Sequence, residues 1–155
     1  MFALIVSSCT TCNEQMTSDR TVKLKFAKVS GKTFADSTIG KLEIIYFNAS
    51  KTDSNYFGVL KFSLPLDEGH DSSAFVIYTD SLKNSKTPHI DTLIFYYKTD
   101  LELISSDCGF NVRFTNLILK PTHYHIDTVL NKSNALSSDL NTLNFTIVLK
   151  VNPAE

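Results

Sequence analysis

Polar and apolar residues alternate with a period of two along most of this chain. Val22, Leu24 and Phe26 fall on one side of an extended segment and Lys23 and Lys25 on the other, which predicts a half-buried strand. The same alternation recurs at 42–47, 57–64, 74–78, 92–98, 111–119, 124–130 and 143–151. Turn-forming clusters separate these runs: Ser30-Gly31-Lys32, Asn48-Ala49-Ser50-Lys51, Asp67-Glu68-Gly69-His70-Asp71 and Lys83-Asn84-Ser85-Lys86. A helical pattern is confined to 133–140, too short and too polar to contribute to a core. Evenly spaced strands without amphipathic helices between them predict an all-β fold, an antiparallel β-sandwich that is immunoglobulin-like in general architecture. Residues 21–152 form its single domain. Eleven Phe and six Tyr, with no Trp, supply the core volume, and Pro65 and Pro121 are placed at strand ends, where a missing amide costs least.

Length and charge narrow the field without naming an activity. At 155 residues the chain suits one domain with a proper core. Fifteen basic residues against sixteen acidic ones give a net charge of -1, which removes the electrostatic argument for a nucleic-acid partner. No apolar run approaches the ~20 residues of a spanning helix. Membrane attachment, if any, is therefore expected through a lipid.

The N-terminus supplies such an anchor. Leu4-Ile5-Val6-Ser7-Ser8-Cys9 reads as the end of a bacterial lipoprotein signal, in which small residues admit the peptidase and the following thiol takes the diacylglycerol. On this reading residues 1–8 are a signal remnant, Cys9 is the lipidated N-terminus, and 9–20 is a polar tether. Met1-Phe2 lacks the basic residues of a signal's first segment, so the start is expected upstream. The expected location is the outer membrane, in either leaflet. With Cys9 acylated, Cys12 and Cys108 remain as an even pair in an oxidising compartment and are expected to form a disulfide. The alternatives are a buried free thiol at Cys108 and a Cys9-x-x-Cys12 redox or metal pair.

Catalytic patterns are missing from the sequence. Ser30-Gly31-Lys32-Thr33 resembles the tail of a phosphate-binding loop, but Phe26 stands where its first glycine belongs, so the segment is a turn. There is no Gly-x-Ser-x-Gly elbow, and Asp67-Glu68 and the Asp100/Glu102 pair lie in or beside turns as solvated surface. His123 and His125, two apart on an expected strand, would share a face, and with His70 or His89 they could hold a metal ion; the alternative is that they decorate the strand. No cofactor is expected. Asp36-Ser37-Thr38, Asp80-Ser81-Leu82, Asp91-Thr92-Leu93 and Asp127-Thr128-Val129 resemble the O-glycosylation acceptor pattern of Bacteroidota envelope proteins. Candidate acceptors are thus Ser37, Ser81, Thr92 and Thr128. Ser81 is the best of them, and Thr92 and Thr128 read as ordinary strand residues after a turn aspartate.

Asp91-Thr92-Leu93-Ile94-Phe95-Tyr96-Tyr97-Lys98-Thr99, continuing through Ser105-Ser106-Asp107-Cys108-Gly109-Phe110 to Val112-Arg113-Phe114, resembles the central signature of an uncharacterised family of small Bacteroidota outer-membrane lipoproteins. The likeness includes Cys9, Cys12 and the closing strand at 143–151. It implies a lipoprotein encoded near integral β-barrel proteins, with no assigned reaction. Within the signature, Gly109 suits a turn of positive φ and Phe110 is expected to re-enter the core. The expected function is that of a lipid-anchored, non-catalytic accessory subunit of an outer-membrane complex, concerned with β-barrel assembly or envelope biogenesis. An integral outer-membrane β-barrel protein would be its partner, met through sheet edges and apolar loop residues such as Tyr56 and Phe57. The alternatives are an envelope glycan- or ligand-binding module with tyrosine platforms, and a metal-dependent enzyme using His123 and His125.

Overall fold

The computed structural model describes residues 20–46, 54–80, 89–106, 109–137 and 141–150. They form ten strands: β1 (Thr21–Ser30), β2 (Thr33–Asp36), β3 (Ile39–Tyr46), β4 (Ser54–Val59), β5 (Lys61–Pro65), β6 (Ser72–Asp80), β7 (His89–Ser105), β8 (Gly109–Pro121), β9 (Ile126–Asn131) and β10 (Phe145–Leu149). Two sheets result. One has the order β2-β1-β10-β9 with β5 also on β1, and the other has the order β4-β3-β6-β7-β8. The fold is an all-β sandwich, as the alternation predicts. Its pairings are antiparallel except for β1 with β10, which run parallel in the register Leu24 to Phe145 through Lys28 to Leu149.

The chain leaves the first sheet after β2 and returns to it at Leu60, both beside Phe26. β5 pairs with Thr21 to Lys25 of β1 and β2 with Ala27 to Ser30, so the two share one edge of β1 end to end. At the junction Ser37 donates its amide to the Phe26 carbonyl and Phe26 donates to the Leu60 carbonyl. Between those bonds the β3–β4 hairpin makes its excursion into the other sheet. The run at 57–64 is therefore two strands in different sheets. Gly58, at φ 63, supplies the left-handed residue just before the crossover. The turn at Ser30-Gly31 is present, with Gly31 at φ 62, and Pro65 and Pro121 are the last residues of their strands.

The core lies between the sheets. Phe26 stacks on Phe62 with ring centroids 5.0 Å apart, and Phe95 of β7 meets Phe145 of β10 across the interface at 6.0 Å. Each such buried side chain contributes roughly 1.5–3 kcal/mol. Every residue of β10 is buried, so the strand is covered on both faces, with Thr146 its one polar side chain. The segment at 132–137, tied to Asn144 just before β10, is irregular rather than helical as far as it is described, a correction to the expected helical pattern. Asn144 explains why. Its Nδ2 donates to the carbonyl of Ala135 at 2.9 Å and its Oδ1 accepts the Lys23 amide at 2.9 Å. Capture of these backbone groups by one buried carboxamide replaces the bonds a helix would make.

Candidate functional site

Three features outside the core carry side chains placed for more than packing. The first is the arch at residues 122–125, which leads from β8 in one sheet to β9 in the other. Asp91, on β7 and almost completely buried, organises it. Its Oδ1 accepts from Thr122 Oγ1 at 2.8 Å and from the Tyr124 amide at 3.0 Å, and its Oδ2 accepts from the His125 amide at 2.9 Å. Thr122 and Thr92 bond each other reciprocally, and the Lys150 amide donates to the His125 carbonyl at 2.8 Å. A carboxylate gathering backbone N–H groups in this way is a structural clamp between sheets.

This arch takes the first two residues of the expected strand at 124–130. β9 begins only at Ile126, so His123 and His125 sit on a bend and not on one strand face. The His123 ring lies 3.2 Å from the Ile126 carbonyl through Nδ1. The His125 ring stacks on His89, with centroids 3.8 Å apart and planes within 7°. Face-to-face stacking is a poor arrangement for sharing an ion, because the nitrogen lone pairs lie in the ring planes. Among the described residues no three His, Cys, Asp or Glu side chains are grouped to hold a metal ion. His70 instead pairs with Asp67, Nδ1 to Oδ2 at 2.8 Å. The Gly69 amide bonded to Asp67 and the nearby His70 hold that carboxyl below its usual range.

The second feature is the outer half of the β7–β8 hairpin. Pairing of β7 with β6 stops at Tyr96 opposite Ser72, yet β7 and β8 continue together to Ser105 and Gly109. The result is a two-stranded ribbon projecting from the sandwich. Directly opposed residues share a face. Leu103 opposes Phe110 and Leu101 opposes Val112, giving one apolar side, whereas Asp100 opposes Arg113 and Glu102 opposes Asn111 on the other. Leu101 is 73% exposed, Leu103 59% and Phe110 64%. Phe110 therefore does not re-enter the core as expected. β6 has ended by this point, and although Asn111 on the other face is buried and Val112 still packs against the core, Phe110 itself stays exposed. Gly109 does take positive φ, at 74°. Tyr56 and Phe57 are exposed as expected, Phe57 at 76%, but they stand on edge strand β4 and not in a loop, because they pair with Leu42 and Lys41 of β3.

The ribbon's base lies at the end of the sandwich where β1 begins. Leu66 donates its amide to the Arg20 carbonyl, Arg20 pairs with Glu68 at 2.6 Å, and the Tyr97 amide donates to the Asp71 carbonyl. The loop at 66–71 thus touches both the start of β1 and the root of the ribbon. Tyr97 fixes this corner: its hydroxyl donates to the Asp67 carbonyl at 2.8 Å and lies 2.7 Å from Ser73 Oγ. Burial pushes its phenol above the ordinary range, partly opposed by those hydrogen bonds.

The third feature is a cleft of about 480 Å³ beside the ribbon's base. It forms because β8 carries one extra residue between Ile118, opposite Tyr96, and Thr115, opposite Lys98. Asn116 in this bulge has φ 54, a left-handed conformation that asparagine tolerates better than most residues. Facing it across the cleft is the segment after β9, held to the edge of β8 by the Leu117 amide bonded to the Asn134 carbonyl at 3.0 Å.

Of the remaining expected positions, Thr92 and Thr128 are half-buried strand residues as expected, but the aspartates before them lie in strands and not in turns, Asp91 in β7 and Asp127 in β9, and Ser37 is half-buried just after β2. Cys9, Cys12, Cys108 and Ser81 lie outside the described residues, as does the signal remnant and nearly all of the tether. The cleft's signal in the sequence was faint: Asn116 interrupts the alternation of 111–119 with a polar residue where an apolar one would keep phase.

A family model matches residues 38–149, most of the chain and all of the β4-to-β8 sheet. The chain belongs to the Family of unknown function (DUF6452). The ribbon, the arch and the cleft of this DUF6452 protein all fall inside the match, while β1 and β2 precede it. Neither the curated proteins nor the solved structures compared with it gave a match.

Proposed function

We propose that this DUF6452 protein is a lipid-anchored, non-catalytic accessory subunit of an outer-membrane complex, and that it grips an integral β-barrel partner with the apolar face of the β7–β8 ribbon. The observation that carries the reading is the ribbon itself. Leu101, Leu103 and Phe110 stand in water on a projecting element whose other face is polar, and a contiguous apolar patch rimmed by charge is the usual mark of a protein contact. Burying these side chains would contribute roughly 1.5–3 kcal/mol each. Placement supports the same reading. The chain that would run to a lipidated Cys9 leaves the sandwich at Arg20, beside the ribbon's root, so anchor and ribbon would face the membrane together.

The expected Cys12–Cys108 disulfide fits this arrangement by length. Cys12 precedes Arg20 by eight residues, which span at most about 27 Å, and the ribbon from Tyr97 to Ser105 is also about 27 Å long. A bridge would hold the tether along the ribbon. The test is a photo-crosslinking residue at position 103 in the native membrane. A discrete adduct with one integral β-barrel protein, missing when the same residue is placed at position 34 on the opposite sheet, supports the proposal. Equal adduct patterns at both positions would overturn it.

A further inference from the structure

We propose that the cleft at the β8 bulge binds an acidic sugar, a short oligosaccharide carrying a carboxylate. The proposal rests on the cleft alone and stands apart from the ribbon's partner. Its lining combines the partly exposed ring of Tyr96, the apolar side chain of Ile118, the ammonium of Lys98 and the carboxamides of Asn116, Asn131 and Asn134. A volume near 480 Å³ is in the range of small-molecule sites, about 300–1,000 Å³. Each carboxamide offers a donor and an acceptor together, which suits neighbouring hydroxyls of a sugar ring, and an aromatic face suits the ring's C–H side.

The charge selects among sugars. No carboxylate is among the lining residues, and no ion pair involves Lys98 or Lys120 among the described residues. Lys120 holds its ammonium over the Tyr96 ring, 5.4 Å from its centre, so a second positive charge occupies one face of the platform and the sugar is to meet the ring from the cleft. The lining has no arginine fork for bidentate contact with a phosphate, and its lysine acts as a point charge, so the proposal commits to the singly charged carboxylate. Two lining side chains are already set: Asn131 Nδ2 bonds Asn134 Oδ1, which leaves the Asn131 oxygen and the Asn134 amide group for a ligand. The bulge aims the third. Asn116 holds its left-handed backbone in the bulge, where substitution by most other residues would be strained.

The experiment is calorimetric titration of the folded chain with digalacturonate and with neutral digalactose, alongside an array of other uronic-acid oligosaccharides and their neutral counterparts. The expected result is binding of at least one acidic oligosaccharide, at least tenfold tighter than its neutral counterpart. Lys98→Met and Asn116→Gly should each weaken it about tenfold, as expected for one hydrogen bond involving a charged or well-placed group. Asn116→Gly keeps the left-handed backbone while removing the carboxamide, so an unchanged melting temperature separates a lost contact from a lost fold. Leu103→Lys, on the ribbon, should leave affinity unchanged. Failure of every acidic oligosaccharide to bind, equal binding of neutral counterparts, or indifference to both cleft substitutions would overturn the proposal.

Discussion

Replacing Asp91 by asparagine should loosen the arch between the two sheets by a calculable amount. In the wild type Oδ1 accepts from Thr122 and the Tyr124 amide, and Oδ2 accepts from the His125 amide. Asparagine can keep one oxygen where Oδ1 stands. Its NH₂ group then meets the His125 N–H, donor against donor, and a buried amide is left without an acceptor at a cost of about 1–3 kcal/mol. The two bonds that survive become neutral, losing about 1 kcal/mol more between them. A total near 2–4 kcal/mol lowers the melting temperature of a domain this size by roughly 4–16 °C. Urea unfolding at pH 7, fitted with the slope as well as the midpoint, measures the loss directly. A loss below about 1 kcal/mol with an unchanged slope would refute the claim that Asp91 clamps the arch.

Tyr97→Phe should remove an alkaline sensitivity. Because folding raises the phenol's pKa, its stabilising effect is complete below the ordinary tyrosine value of about 10 and is lost as pH rises toward the raised one; melting temperatures from pH 8 to 11.5 should converge between wild type and variant above pH ~10, and a constant gap would contradict this. Thr146→Val should stabilise the protein by about 1 kcal/mol, because the buried Thr146 hydroxyl has no hydrogen-bond partner among the described residues; thermal melting that showed destabilisation would contradict it. Non-reducing peptide mapping of envelope-extracted protein should recover Cys12 joined to Cys108, and finding both thiols free would count against the tether lying along the ribbon.

Local pattern carried the strands well and their partners poorly. Val22, Leu24 and Phe26 alternate with lysines and are buried on β1, and the long run through Leu93, Phe95 and Tyr97 became β7. Alternation says which side of a strand is apolar, but not which sheet the strand joins. The run 57–64 hides a change of sheet: its apolar positions pass from Phe57 and Val59 to Leu60, Phe62 and Leu64, a shift of one residue at the crossover that a reading as one strand passes over. The parallel pairing of β1 with β10 links residues more than a hundred positions apart, beyond the reach of any local signal. Phe110 is apolar and next to a turn glycine, features common to a returning core strand and to an exposed ribbon; only the point where β6 stops distinguishes them. Asp91 looked like a turn residue before a strand because its donors come from residues 122–125, brought over by β8. His123 and His125 were assigned to a strand face because the captured arch cannot be seen in their spacing. The cleft depends on one inserted residue in β8, which a period-two reading absorbs as noise.

The central claim is that the ribbon's apolar face joins a lipid-anchored subunit to an integral β-barrel protein. The most direct measurement is quantitative recovery of that partner, after gentle detergent extraction, with wild type and with a Leu101→Lys/Phe110→Lys variant. Both positions are exposed, so the variant should fold with an unchanged melting temperature. The account predicts near-stoichiometric recovery of one β-barrel protein with wild type and at least a tenfold loss with the variant, since burying even one added lysine at such a contact costs more than 1.4 kcal/mol. Equal recovery of the barrel by the folded variant, or no barrel protein with the wild type, would contradict it.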